Sequence, residues 1–291
     1  VVYEICTDYR DLEQFYKSKY CQAFLNKAFY ERLISAISNE AVCLIIGTPC
    51  VLSGIKNTLL AQKAKLTSCI FVDLVCHGVM SQSVYHTHLE ECKKRWGGVV
   101  TQHYFRYKRA VTKDCPEGSH WNLYKVNNEI IIKKSDDDYY MQTYFADLAM
   151  RETCYCCQFT GTNRIGDITI GDFNNAHILC SQFDGLRSVS LVLVNTDKGQ
   201  RFIDECNNNT VNLQPVDIKL LQKFNTPLTA PIKRPFQRSL FYTFYNSLGL
   251  SRTVSLLNYK YYLRKIIVAF GGKKLLLKIK ALLGRSYIDI E

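Results

Sequence analysis

Three short segments place cysteine where metal or redox chemistry needs it. Cys50 closes Gly47-Thr48-Pro49-Cys50, at the junction between an apolar run and a helical pattern. Helix N-termini present free N–H groups and a positive field, so a thiol there has its anion favoured. Cys76 lies in Val75-Cys76-His77-Gly78, at the end of a second apolar run. Cys154 and Cys157 form a C-x-x-C pair within Cys154-Tyr155-Cys156-Cys157. That spacing lets two thiolates reach one metal centre. If the two apolar runs are adjacent strands, Cys50 and Cys76 point from neighbouring carboxyl ends into one crevice. With the C-x-x-C pair they make a four-cysteine set, enough for a [4Fe-4S] cluster or for zinc, and spacing alone does not separate the two.

Beside the cysteines, His77 is a candidate proton shuttle or cofactor-tuning group, the catalytic candidate of the sequence. Asp167 and Asp172 fall in Arg164-Ile-Gly-Asp-Ile-Thr-Ile-Gly-Asp172 and can hydrogen-bond ligand hydroxyls, or serve as turn residues. Buried cysteines such as Cys43 and Cys69, inside apolar runs, read as small hydrophobes.

These groups need a scaffold. A helix is expected over 27–37, a buried strand over 41–46, a helix carrying Leu52, Ile55, Leu59 and Leu60, and a buried strand over 69–76. This is a βαβ unit with a parallel pair. A helix over 82–96 follows, with Ser81 as its cap. Strands over 99–107 and 122–134 come next, the second turning at Asn127-Asn128. Helix over 136–150 is expected to open on Ser135 and an acidic first turn. Strands over 168–172 and 189–194 and a helix over 198–206 complete an α/β body with a mixed sheet and flanking helices. Two units are expected: the body, 1–235, and a basic helical tail, 236–291.

The chain has 291 residues, 47% of them hydrophobic and 22% charged, which excludes disorder and coiled coil. Thirteen cysteines, an odd number with no secretory signal before them, fit a reducing cytosol. The formal charge of +11 is uneven: 236–291 holds +8, leaving +3 for 1–235. A near-neutral body offers no basic groove, so nucleic-acid binding is not expected. Within the tail, Lys273–Leu283 (KKLLLKIKALL) is a cationic amphipathic pattern suited to the surface of an anionic membrane. A peripheral site on the inner face of the membrane is therefore expected.

Taken in order, GTPC followed by SGIK, then VDLVCHG, RETCYCCQF and NRIGDITIGDF, resemble the coenzyme F420 hydrogenase/dehydrogenase beta-subunit family. Ser18-Lys19-Tyr20 and the stretch from Ser190 to Thr196 extend the likeness, and the members most similar in motif are bacterial ones found with surface-polysaccharide synthesis. The resemblance implies an iron–sulfur flavoprotein holding one [4Fe-4S] cluster and FAD and passing electrons to a hydride-accepting substrate. It implies Cys50, Cys76, Cys154 and Cys157 as cluster ligands. Ser18, Lys19, Tyr20, Gly47, Thr48 and Pro49 would line the flavin site. The electron donor would be a ferredoxin or a reduced nicotinamide. The sequence departs from the family at Val51, in Phe105-Arg106-Tyr107-Lys108, which lacks an acid, and in Gly171-Asp172-Phe173-Asn174-Asn175, which lacks Trp and Gly. An alternative consistent with these departures is a metal-stabilised scaffold that has lost catalysis.

Overall fold

In a computed structural model, residues 1–16, 18–39, 41–107, 121–173, 176, 189–206 and 212–258 are described. The elements in chain order are α1 (Lys27–Ser38), β1 (Cys43–Gly47), α2 (Pro49–Ala61), β2 (Cys69–Leu74), α3 (Gln82–Trp96), β3 (Val100–Tyr107), β4 (Trp121–Val126) and β5 (Glu129–Lys134). After them come α4 (Tyr139–Phe145), α5 (Glu152–Tyr155), β6 (Ile168–Asp172), β7 (Ser190–Val194), α6 (Asp197–Cys206), α7 (Ile218–Phe224), α8 (Gln237–Leu248) and α9 (Leu250–Leu257). The amphipathic stretch Lys273–Leu283 lies outside the described residues.

The first sheet runs β1-β2-β6-β7 and is mixed, as expected. β1, β2 and β6 are parallel, and β7 returns antiparallel to β6. Its two faces read directly from the alternation of side chains along each strand. Ile45, Cys69 and Phe71 face one way and pack with Phe29, Leu33 and Ile37 of α1 and Leu52, Ile55 and Leu59 of α2. Ile70, Val72 and Ile168 face the other way, against Phe202 and Ile203 of α6. Leu52, Ile55 and Leu59 are fully enclosed, each contributing about 1.5–3 kcal/mol by leaving water.

The second sheet, β3-β4-β5, is antiparallel and separate from the first. Asn127 makes the β4–β5 turn at φ +53°, a left-handed conformation that Asn tolerates. Residues 136–150 do not form one long helix. A 3-10 turn over Ser135–Asp137 precedes α4, and α4 ends at Phe145. The reason is local: Asp138, not Ser135, caps α4 through the N–H groups of Tyr140 and Met141. Asp147, at φ +54°, then breaks the helix so that Met150 pairs with Met80. Ser81 precedes α3 but makes no capping bond with its side chain.

Residues 237–257, grouped from sequence with the basic tail, pack into the body. Phe241, Leu250 and Val254 are fully buried beside Met80, Phe105, Tyr140 and Met141. α3 supports α9 directly, since the Glu91 carboxylate accepts from the N–H groups of Leu250 and Ser251.

Between α3 and the second sheet lies a buried polar knot. The Tyr124 hydroxyl donates to the Asp138 carboxylate at 2.5 Å, and His88 Nε2 lies 2.9 Å from the same hydroxyl. Tyr85 Oη lies 3.2 Å from His103 Nδ1, and the Asn122 side chain hydrogen-bonds to the same ring. Burial pulls His103 down to about 3 and lowers His88, outweighing the opposing pull of Asp138. Both rings are thus neutral in the folded protein, whereas unfolded imidazoles titrate near 6.5. A depressed folded value gives stability that is whole above pH 6.5 and drains away as pH falls. At pH 5 His103 alone should account for a loss of about 2 kcal/mol. Urea midpoints at pH 7 and pH 5 check this, and His103→Gln should show a smaller difference between them.

Candidate functional site

β1 and β2 are neighbouring parallel strands, so their carboxyl ends open on the same edge of the sheet. Cys50 follows β1 in the first turn of α2, and Cys76 follows β2 by two residues. The C-x-x-C segment reaches them through a short antiparallel pairing. Ser81 N–H donates to Ala149 O at 2.8 Å, and Arg151 N–H donates to Val79 O at 2.9 Å. α5 then holds Cys154, whose sulfur accepts from Val79 N–H at 3.5 Å.

The four thiols converge. Burial pushes Cys76 up to about 12, and Cys50, Cys154 and Cys157 lie near enough to raise it further. Cys154 is raised by burial too, with Cys50 and Cys157 adding to it. Thiolates gathered in this way are metal ligands by type, and a bound cation would stabilise their ionised form. Among the described residues no three His, Cys, Asp or Glu groups close on a single ion. Four thiolates are a donor set that an iron–sulfur cluster or zinc takes.

Arg164 and Asp73 fix both cysteine loops from beneath. Their side chains are 1% and 0% exposed. Arg164 donates to the Asp73 carboxylate at 2.7 and 3.1 Å, to Leu74 O beside the Cys76 loop, and to Phe159 O just after Cys157. Asp73 also accepts from the N–H groups of Ile165 and Gly166. A Cβ on Gly166 would stand 2.8 Å from Asp73 N, so the chain can approach this closely only through glycine.

His77 Nε2 lies 2.7 Å from Asp147 Oδ1, and its ring tilts against Tyr144 at 5.5 Å between centroids. It is 41% exposed, accessible to a ligand while oriented by the carboxylate. Tyr144 in turn contacts the ring of Tyr20 at 4.6 Å. Tyr20 is hydrogen-bonded by Arg106, and Arg106 pairs with Asp172. One continuous wall therefore runs from the cysteines through His77, Tyr144 and Tyr20 to Arg106 and Asp172.

The other residues assigned from sequence to the flavin are dispersed. Tyr3 fills the space over Gly47-Thr48-Pro49: a Cβ on Gly47 would meet its hydroxyl at 2.6 Å, and Thr48 hydrogen-bonds to that hydroxyl. Thr48 Oγ1 lies 3.5 Å from Cys50 Sγ, making the loop a support for the cysteine. Asp167 faces inward, accepting from Phe71 N–H and Thr196 and pairing with Lys198 at 3.2 Å. Lys19 bonds back to Phe15 O and Tyr16 O, and Ser18 is half-buried beside it. Of that set, Tyr20 and Asp172 stand on the wall by His77.

A cleft of about 680 Å³ opens beside the cysteine-bearing segments. It is bordered by Val51 and Thr153, each next in chain to a cysteine of the set, and by Met80, Met150, Arg151 and Tyr242. Sequence reasoning missed Asp147, Tyr144 and Tyr3, which lie far along the chain from the groups they touch. Asp73 had a signal, an acid inside an apolar strand, which requires a buried partner.

Residues 41–219 match the family described as the C terminus of the coenzyme F420 hydrogenase/dehydrogenase beta subunit. The chain belongs to this family. Membership shows a chain of the hydrogenase/dehydrogenase beta-subunit type, as the motif order implies. Among solved structures, a chain of the xenon-derivatised F420-reducing [NiFe] hydrogenase complex from Methanosarcina barkeri is similar at 13% identity. The match covers 75% of this chain and 68% of that one, with a TM-score of 0.42. No curated protein matches. Among the described residues no helix is long and apolar enough to cross a membrane.

Proposed function

We propose that this chain is an iron–sulfur oxidoreductase. Electrons pass between a [4Fe-4S] cluster on Cys50, Cys76, Cys154 and Cys157 and a two-electron organic acceptor on the His77 face. The observation that carries the reading is the convergence of four thiols from three separate segments on one sheet edge. Membership of a hydrogenase/dehydrogenase family supports it.

Electron transfer to a cluster needs only proximity, whereas an acceptor that gains two electrons and a proton must touch a proton donor. The acceptor is therefore assigned to the His77 face. The cleft by Val51 and Thr153 is left to the electron donor, a ferredoxin or a reduced nicotinamide. FAD, implied by the motif resemblance, would lie against Tyr20 and Tyr144, near Asp172. When bound, it would supply the exchange between single electrons and a hydride. His77 would hold or receive the proton at Nδ1, since Nε2 is bonded to Asp147, which sets the ring's orientation, and the tyrosine rings would keep bulk water from one side. A place in surface-polysaccharide synthesis, and contact of the basic tail with an anionic membrane, rest on the sequence pattern alone.

His77→Gln should lower kcat by about 10²–10⁴, the usual worth of a positioned acid–base group. Asp147→Asn should cost less and shift the pH profile. Iron content must stay at wild-type level in both. Unchanged kcat in His77→Gln with an artificial electron donor would remove the proton role.

A further inference from the structure

The geometry points to Arg106 as an oxyanion anchor on the His77 face, taking a phosphate or carboxylate of the two-electron carrier or of its substrate. The starting observation is backbone conformation. Among the described residues, four that are not glycine have positive φ: Lys63, Arg106, Asn127 and Asp147. Asp147 orients His77, and Arg106, at φ +51°, ends the same wall. A long side chain gains nothing locally from this conformation, so the surroundings must impose it. They do so through a break in register: β3 slips against β4 between Tyr104 and Tyr107, which turns Arg106 out of the ladder.

The turned-out guanidinium is bonded to Tyr20 and pairs with Asp172, so residues from three distant sequence motifs meet on it. The ion pair does not explain the strain. Asp172 is 58% exposed, and pairs that open to solvent return little. A planar cationic fork beside a flat aromatic wall suits an oxyanion on a planar ligand. Asp172 then has a definite role: it holds the fork in place when the site is empty and competes with the incoming anion. The assignment depends on the oxidoreductase reading only for what the anion belongs to.

The test is calorimetric titration of the full chain with sodium pyrophosphate at constant ionic strength, with iron measured on the same sample. Wild type should show one saturable site. Arg106→Gly should weaken it by about tenfold or more, the worth of charge-assisted hydrogen bonds. The same change relieves the positive φ, so the melting temperature should hold or rise. Arg106→Lys should retain part of the affinity, and Asp172→Asn should tighten binding by removing the competitor. Comparing FMN with riboflavin then identifies the source. A preference for FMN that vanishes in Arg106→Gly assigns the anion to the flavin, and equal binding of the two assigns it to the substrate. No saturable site in wild type overturns the proposal, as does unchanged affinity in Arg106→Gly. A fall in melting temperature in that variant does so too, since it would make Arg106 a structural clamp. An iron-free protein that binds pyrophosphate through Arg106 would defeat the oxidoreductase reading and leave this one standing.

Discussion

Cys76→Ala is expected to emerge from oxygen-free purification with almost no iron, while remaining folded. Cys76 is the hub of the four thiols, the one on which Cys50, Cys154 and Cys157 all act. Changing a mere hydrogen-bond partner of a metal ligand already costs about 10–100-fold in affinity, so deleting the ligand should cost more. Cys50→Ala, Cys154→Ala and Cys157→Ala should each reduce iron as well. Two controls separate ligation from packing. Cys69 and Cys92 are buried but distant from the crevice, with burial holding their thiols near 11 and 12 respectively. Their alanine variants should lose some stability and keep their iron. Iron per chain by elemental analysis, alongside far-ultraviolet circular dichroism, decides the matter. Wild-type iron in Cys76→Ala would remove these cysteines from the centre.

The second large effect concerns the clamp below the cysteines. Arg164→Met should destabilise the chain by about 3–5 kcal/mol, because it leaves the Asp73 carboxylate buried without its counter-charge. The N–H groups of Ile165 and Gly166 would remain as donors, too few for a carboxylate that is 0% exposed. For a chain of this size the melting temperature should fall by about 10 °C. Arg164 also ties Leu74 O to Phe159 O, so the loops carrying Cys76 and Cys157 should loosen and iron should be lost on dialysis. Replacing both partners, Asp73→Leu with Arg164→Met, should restore much of the stability without restoring iron retention. A melting temperature within about 2 °C of wild type in Arg164→Met would show that the pair is not needed.

The strands of the first sheet were legible because each is a short apolar run between turn residues. The carboxyl-end positions of Cys50 and Cys76 followed from the parallel pairing those runs imply. Helix α3 was legible over 82–96, although Ser81 makes no capping bond with its side chain. The split after Phe145 was not, because Ala146–Met150 is as apolar as a helix face, and only the pairing of Met80 with Met150 reveals the break. The packed helices of 237–257 were hidden for a related reason. Their charge resembles that of the tail, while their burial depends on partners in α3 and α4. At the site, residue type and local spacing gave the cysteines and His77. They could not give Asp147, 70 residues from His77, or the meeting of Tyr20, Arg106 and Asp172. Those contacts are set by the fold as a whole. Asp167 shows the converse: a motif aspartate whose carboxylate is committed to Phe71, Thr196 and Lys198 rather than turned to a ligand.

The central claim is that four cysteines hold iron that carries electrons. Its most direct measurement is an absorption spectrum of the chain purified without oxygen, with iron and zinc quantified on the same sample. The account predicts about four irons per chain, the content of the proposed cluster. It also predicts a broad visible absorption that bleaches on reduction with dithionite. Resolved flavin bands above that absorption would add FAD to the centre. A colourless protein with no iron, or one zinc per chain in its place, would contradict the account and leave a metal-stabilised scaffold.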